Sequence, residues 1–170
     1  PGISVTFDSL AAAAPAAAMD LAAASDTGSS TTDNITRTAN GLVFTGSGAV
    51  AGATVRIYAG VTEIGTAIAD GAGAWSITTT VALSEGANTV TYKIEDLAGN
   101  LSNTSTSNLS VTLDTAASAV TGAPDLVIAS DTGTSNTDNL TSDTTPTFDV
   151  SCVNGESVQL YDGATATGTP

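Results

Sequence analysis

The side chains able to do chemistry in this 170-residue chain are almost all carboxylates. Thirteen Asp and four Glu stand against only Arg37, Arg56 and Lys93, for a net charge of −14. Most of the Asp residues sit beside Gly, Asn, Ser or Thr, the residues that build turns. Acids carried on helices would be richer in Glu, with Lys partners four residues away, and those partners are missing. The charge therefore belongs to loops. Loop carboxylates without cationic partners repel one another, so either solvent screens them or a hard cation does. Calcium takes about six to eight oxygens from carboxylates, carbonyls and water, and converging Asp-rich loops supply that kind of ligand.

Other chemistries are excluded by composition. There is no His and one Cys, so the chain holds no Ser-His-Asp triad, no Cys–His pair, no imidazole or thiolate zinc site and no internal disulfide framework. Three scattered cations make no surface for phosphates, which excludes nucleic acid as a partner. Glu95 and Asp96 are adjacent on a strand and point to opposite faces, a poor acid–base pair. The expectation is a protein that is not an enzyme. Apolar residues reach 41% while aromatics are only 4%, so the core is built from Val, Ile, Leu and Ala. The Ala-rich stretch from Leu10 to Ala24 is interrupted by Pro15 and reads as a linker with local ordering. It lacks the basic start and bulky apolar run of a signal peptide, and no run is long enough to insert into a membrane.

The elements that must position the acids come from an internal repeat. Asp20–Gly28 recurs as Asp125–Gly133, and Asp33-Asn34-Ile35-Thr36 as Asp138-Asn139-Leu140-Thr141. Further on, Phe44 pairs with Phe148, Gly52 with Gly155, and Tyr58-Ala59-Gly60 with Tyr161-Asp162-Gly163. A second echo links Ser4-Val5-Thr6-Phe7-Asp8 to Ser110-Val111-Thr112-Leu113-Asp114. These echoes divide the chain into residues 1–18, the last strand and linker of a preceding repeat; 19–118, one complete repeat; and 119–170, the first half of the next. The chain reads as a window on a longer tandem array.

Within the complete repeat, Val55–Tyr58, Trp75–Thr78, Thr89–Ile94 and Asn108–Leu113 alternate apolar and polar residues, the period of a half-buried strand. Asp70–Gly73, Ser84–Asn88 and Asp96–Asn100 are the turns between such runs. About seven short strands at this turn spacing make an all-β fold: tandem Ig-like antiparallel β-sandwich repeats, one complete domain flanked by partial ones. Trp75 is expected in the core, Tyr58 and Tyr161 in packing roles, and Cys152 as a buried, inert thiol.

Several ordered motifs carry a resemblance. Thr89–Asn100 ending in Asp-Leu-Ala-Gly-Asn, Asp70-Gly71-Ala72-Gly73-Ala74-Trp75-Ser76, Gly52-Ala53-Thr54-Val55 and the strand-terminal Leu113-Asp114-Thr115 resemble the bacterial Ig-like repeats of giant repetitive surface adhesins, often exported by type I secretion as RTX-type proteins. The departures are Ala116-Ala117 where a Pro is usual, and the Ala-rich first linker. The resemblance implies a secreted or cell-surface rod of stacked sandwiches, with Ca²⁺ at the junctions, holding a binding region away from the cell for adhesion or biofilm formation.

Loops alternate between the two ends of a sandwich, so the Asp70 and Asp96–Asn100 turns share one end, met by Asp8 from the preceding repeat. The expected calcium ligands are Asp8, Asp70, Asp96 and Asn100 at that junction, with Asp114 and Asp125 starting the next. The loop holding Asp26 and Asp33 is a second candidate, although it has no EF-hand spacing. Against these stands the reading that each Asp only caps its own turn. The expected partners are neighbouring Ig-like repeats of the same chain and other copies of the same protein. An alternative function is a self-assembling extracellular filament or surface layer completed by strand addition between chains.

Overall fold

The computed structural model describes residues 2–120, 122–153 and 156–169. Gly155, the echo of Gly52, lies outside them. The described residues form strands and turns without a helix, as Thr, Val and Ile enrichment favours. The chain divides into two compact units, Pro1–Ala116 and Ala117–Pro170.

The first unit has eight strands: β1 Met19–Leu21, β2 Ile35–Thr36, β3 Val43–Gly46, β4 Thr54–Ala59, β5 Thr62–Ile68, β6 Trp75–Thr78, β7 Gly86–Glu95 and β8 Leu109–Leu113. They build two sheets, one ordered β1-β3-β6 and the other β2-β8-β7-β4-β5. All pairings are antiparallel except β2 with β8, where Ile35 lies opposite Thr112 and Thr36 opposite Leu113. Alternation sends Val55 and Ile57 of β4, Val90, Tyr92 and Ile94 of β7, and Val111 and Leu113 of β8 inward. They meet Leu21, Phe44, Trp75 and Ile77 of the opposite sheet. Each fully buried side chain of this kind contributes about 1.5–3 kcal/mol.

Trp75 and Tyr92 pack at 5.2 Å between ring centroids, inclined by 50°. Gly46 lies opposite Trp75 in the β3–β6 register, and a Cβ at that position would enter the indole ring. The absence of a side chain there is what lets the Trp lie flat on β3.

Two readings of the sequence change in this unit. The Ala-rich stretch is not linker throughout: Met19–Leu21 is a strand, with Leu21 fully buried. The residues ahead of it are held to the sandwich. Tyr92 donates its hydroxyl to the Ala17 carbonyl at 2.8 Å, and the Thr106 amide donates to the Pro15 carbonyl at 3.0 Å. Likewise, Gly86–Asn88, read as turn, already belongs to β7 and pairs with Val111–Leu113.

The second unit has β9 Asp125–Leu126 paired with β10 Phe148–Asp149, and a hairpin of β11 Leu160–Asp162 with β12 Thr165–Thr167. Its burial is thinner. Phe148 is 40% exposed, whereas its counterpart Phe44 is fully buried. Cys152 is exposed, contrary to the expected buried thiol: among the described residues its segment joins no strand. Tyr161 is 64% exposed rather than packed. Tyr58 is half-buried on the outer face, its hydroxyl donating to Glu63 and its ring lying under Lys93 at 5.6 Å.

Candidate functional site

At one end of the first unit lie the turns of Asp70 and Asp96. The Asp70 Oδ1 accepts from the amides of Ala72 and Ala74 at 2.8 and 2.9 Å. Asp96 repeats the device: Oδ1 accepts from Ala98 and Asn100 at 2.9 and 2.8 Å, and Oδ2 from the Asn100 side-chain amide at 2.9 Å. That side-chain bond, followed by the backbone donors, holds the Asp96 carboxyl below the usual carboxylate range. The two turns flank the segment around Gly52, whose amide donates to Ala69 and which Leu97 approaches. Asn100 also donates to the Asp8 carbonyl at 3.1 Å, so Asp8, Asp96 and Asn100 are brought together. The Asp8 carboxylate accepts from Leu10 at 3.0 Å.

Tested against a calcium shell, this end is only a partial fit. It offers oxygens, but Asp96 has both of its carboxylate oxygens committed to local donors. Among the described residues no group of three acidic side chains gathers at metal-binding spacing. A junction ion would therefore draw on Asp8, on Asp70 and on carbonyls, with Asp96 and Asn100 fixing the turn that presents them.

Asp114 caps its own strand end, accepting from Ala116 at 3.2 Å. Beside it, Glu85 accepts from both the amide and the hydroxyl of Thr115. Asp125 lies in the second unit directly opposite Asp149. The matching pair in the first unit is Asp20 and Thr45, so the second unit has placed like charges across one rung, which is destabilising. Sequence spacing did not reveal this pair, because it depends on register.

The loop from Asp26 to Asn34 is the most constructed of the candidates. Ser25 and Asp26 both donate their amides to Ala22, and the Ser25 hydroxyl accepts from Val43 at 2.9 Å. Gly28 donates to Ile35 at 3.0 Å, Asp33 accepts from Ile35 at 3.1 Å, and the Thr27 and Thr36 hydroxyls meet at 3.2 Å. Asp26 itself is 2% exposed and its Oδ2 accepts from the Asn34 amide at 3.0 Å. This bond holds Asn34 at a φ of 58°, a left-handed conformation that Asn tolerates better than most residues. The loop is anchored to β8 by the Thr112 amide on the Asn34 carbonyl and the Asp114 amide on Thr36.

The same bonds recur in the second unit: the Ser130, Asp131 and Gly133 amides donate to the Val127, Val127 and Leu140 carbonyls, while the Ser130 hydroxyl accepts from Thr147, Asp138 from Leu140 and Asp131 from Asn139. Asn139 has a φ of 57°. In both copies one carboxylate oxygen is left over. Asp26 Oδ1 and Asp131 Oδ1 are buried and have no hydrogen-bond partner, and in the first unit Asn34 Oδ1 shares that condition. A buried polar group without a partner costs about 1–3 kcal/mol, and more when charged.

Two of the three basic side chains are engaged elsewhere. On the outer face of the larger sheet, Arg56 bonds Glu95 through Nε at 2.6 Å and Glu63 through Nη1 at 3.2 Å. Those bonds, the one to Glu95 foremost, raise the guanidinium pKa further. No described helix is long and apolar enough to cross a membrane.

Two layers of antiparallel strands, closed by a parallel β2–β8 rung and built around a Trp–Tyr core, define an immunoglobulin-like sandwich. The family comparison agrees: the pattern of the bacterial Ig-like domain matches residues 12–115 and again 118–169, and the chain belongs to that family. A search of curated proteins finds no match.

Proposed function

We propose that this chain is a structural and adhesive segment of a large extracellular bacterial surface protein. It acts as a calcium-stiffened spacer that projects a binding region for cell adhesion or biofilm formation. The observation that carries this reading is repetition. The Ig-like pattern matches twice in a single chain, and the main bonds of the Asp26 loop recur around Asp131. Repetition of a unit without an activated nucleophile or acid–base pair builds length. The acid surplus, 17 carboxylates against three cations, suits an environment where calcium is plentiful, and extracellular modules bind it at about 10⁻⁴–10⁻³ M. Family membership is consistent with a surface-associated repeat module.

Calcium would stabilise the folded units by mass action. The test is differential scanning calorimetry in millimolar calcium and in excess chelator, at matched ionic strength. A large fall in melting temperature on chelation is expected. An unchanged melt would refute calcium stiffening.

One observation favours a second reading, assembly between chains. Ser4–Asp8 echoes β8, yet Ile3, Val5 and Phe7 are 92%, 85% and 89% exposed while Val111 and Leu113 are buried. A segment patterned as an inner strand is suited to completing a sheet of another copy. Concentration-dependent filaments under the electron microscope, abolished by Val5→Asp with Phe7→Asp, would support this reading. Single rods at every concentration would overturn it.

A further inference from the structure

We infer that each unit carries a cation site of its own, inside the loop that Asp26 and Asn34 close in the first unit and Asp131 and Asn139 close in the second. It deepens the calcium reading and shares only the choice of ion with the junction residues Asp8, Asp70, Asp96 and Asn100.

The inference starts from the orphaned oxygens. Asp26 is 2% exposed and Asp131 6% exposed. Each commits Oδ2 to the amide of an Asn with positive φ and leaves Oδ1 buried without a donor. A buried carboxylate oxygen needs a hydrogen bond, a proton or a cation. The three cationic side chains do not supply it: Arg56 and Lys93 are engaged on the outer sheet face, and Arg37 forms no ion pair among the described residues. Both copies of the loop, which differ at five of the 17 positions from 20–36 to 125–141, reach the same arrangement.

The donor set selects the ion. The buried unpartnered side-chain atoms of the loop are both oxygens, Asp26 Oδ1 and Asn34 Oδ1, and Gly28 and Asp33 of the same loop are exposed to solvent. Oxygen-only sites with a single carboxylate suit a hard cation that keeps water in its shell. The two copies differ at the Asn side chain. Asn34 Oδ1 is free, whereas Asn139 Oδ1 accepts from the Leu126 amide at 3.2 Å. The first site therefore has one more oxygen to offer and binds the more tightly of the two.

The experiment is a calcium chloride titration of the ¹⁵N-labelled full chain by NMR, with sodium chloride at matched ionic strength as control. Saturable shifts of the Thr27, Gly28 and Asn34 amides are expected at about 10⁻⁴–10⁻³ M calcium, with the Thr132, Gly133 and Asn139 amides following at higher concentration. Asp26→Asn should abolish the first set and spare the second. Should Asp26→Asn fail to fold, Asn34→Gly keeps the positive φ, removes one oxygen and should bring the first site down to the affinity of the second. Asp70→Asn with Asp96→Asn should leave both sets unchanged, so a junction effect and a loop effect are read separately. Shifts confined to the Ala72, Ala98 and Asn100 amides would overturn the inference while leaving the junction reading intact. A carboxyl carbon of Asp26 that reports a protonated acid at neutral pH, indifferent to calcium, would overturn it as well.

Discussion

Replacing Tyr92 by Phe removes one oxygen and tests whether the segment ahead of β1 is a fixed part of the sandwich. The ring is fully buried against Trp75, and Phe retains that packing. What is lost is the 2.8 Å bond to the Ala17 carbonyl. Ala17 is only half-buried, so water can replace the phenol at that carbonyl. The net loss is then that of an ordinary hydrogen bond, about 1 kcal/mol. For a unit of this size that corresponds to a fall of about 4–8 °C in melting temperature. The structure also predicts where the effect appears. The Thr106 amide bonds Pro15 two residues upstream of Ala17, so its hydrogen-exchange protection should fall more than that of β7 amides such as Ile94. Calorimetry and exchange on the same variant decide the matter. A melt within about 1 °C of the parent, with Thr106 still protected, would refute the claim that this hydroxyl anchors the segment. The same group sets an alkaline limit. Burial raises the Tyr92 pKa, so the neutral phenol is favoured in the folded state. Its contribution is complete below the ordinary tyrosine pKa near about 10 and is lost as pH rises through the higher folded value. Tyr92→Phe should flatten that alkaline loss.

Gly46→Ala forces a methyl into the indole of Trp75 and should destabilise the first unit by about 1–3 kcal/mol. Tryptophan emission should shift to the red as the ring is displaced, and an unchanged spectrum would contradict the contact. Asp149→Thr copies the Asp20–Thr45 rung into the second unit and relieves the Asp125–Asp149 repulsion. It should stabilise that unit by about 0.2–1 kcal/mol, less at high salt. A destabilisation seen only with calcium present would instead make the acid pair a ligand.

The strands that make the framework were legible where alternation ran for four residues or more. β4, β6, β7 and β8 follow from Val55–Tyr58, Trp75–Thr78, Thr89–Ile94 and Asn108–Leu113, and Trp75 is buried as expected. β1 was not legible, since three residues inside an Ala-rich run carry no period of their own. Its strand state comes from pairing with Phe44–Gly46. Cys152 was misjudged for a related reason. Its segment carries no alternating period, and among the described residues it joins no strand. Asp149 opposite Asp125 depends on register, which sequence does not give without both strands.

The acids show the limit most clearly. Asp26, Asp33, Asp70 and Asp96 all sit beside turn formers, and by type and neighbours they are interchangeable. The fold separates them. Asp33 and Asp70 are exposed and accept from amides of their own turns, Ile35 for the first and Ala72 and Ala74 for the second, which is enough to explain an Asp at each position without any ion. Asp96 is driven further in the same direction, its carboxyl held acidic by Asn100. Asp26 is the exception, because its single accepted amide leaves an equivalent oxygen sealed in the interior. If the loop needed only a cap, Asn at position 26 would serve with less desolvation, since its oxygen can accept from Asn34 and its amide carries no charge. An acid present in both copies, with one buried oxygen unpartnered in each, is what a bound cation would satisfy. That distinction between an acid that finishes a turn and an acid that the turn leaves unfinished decides where calcium is to be looked for first.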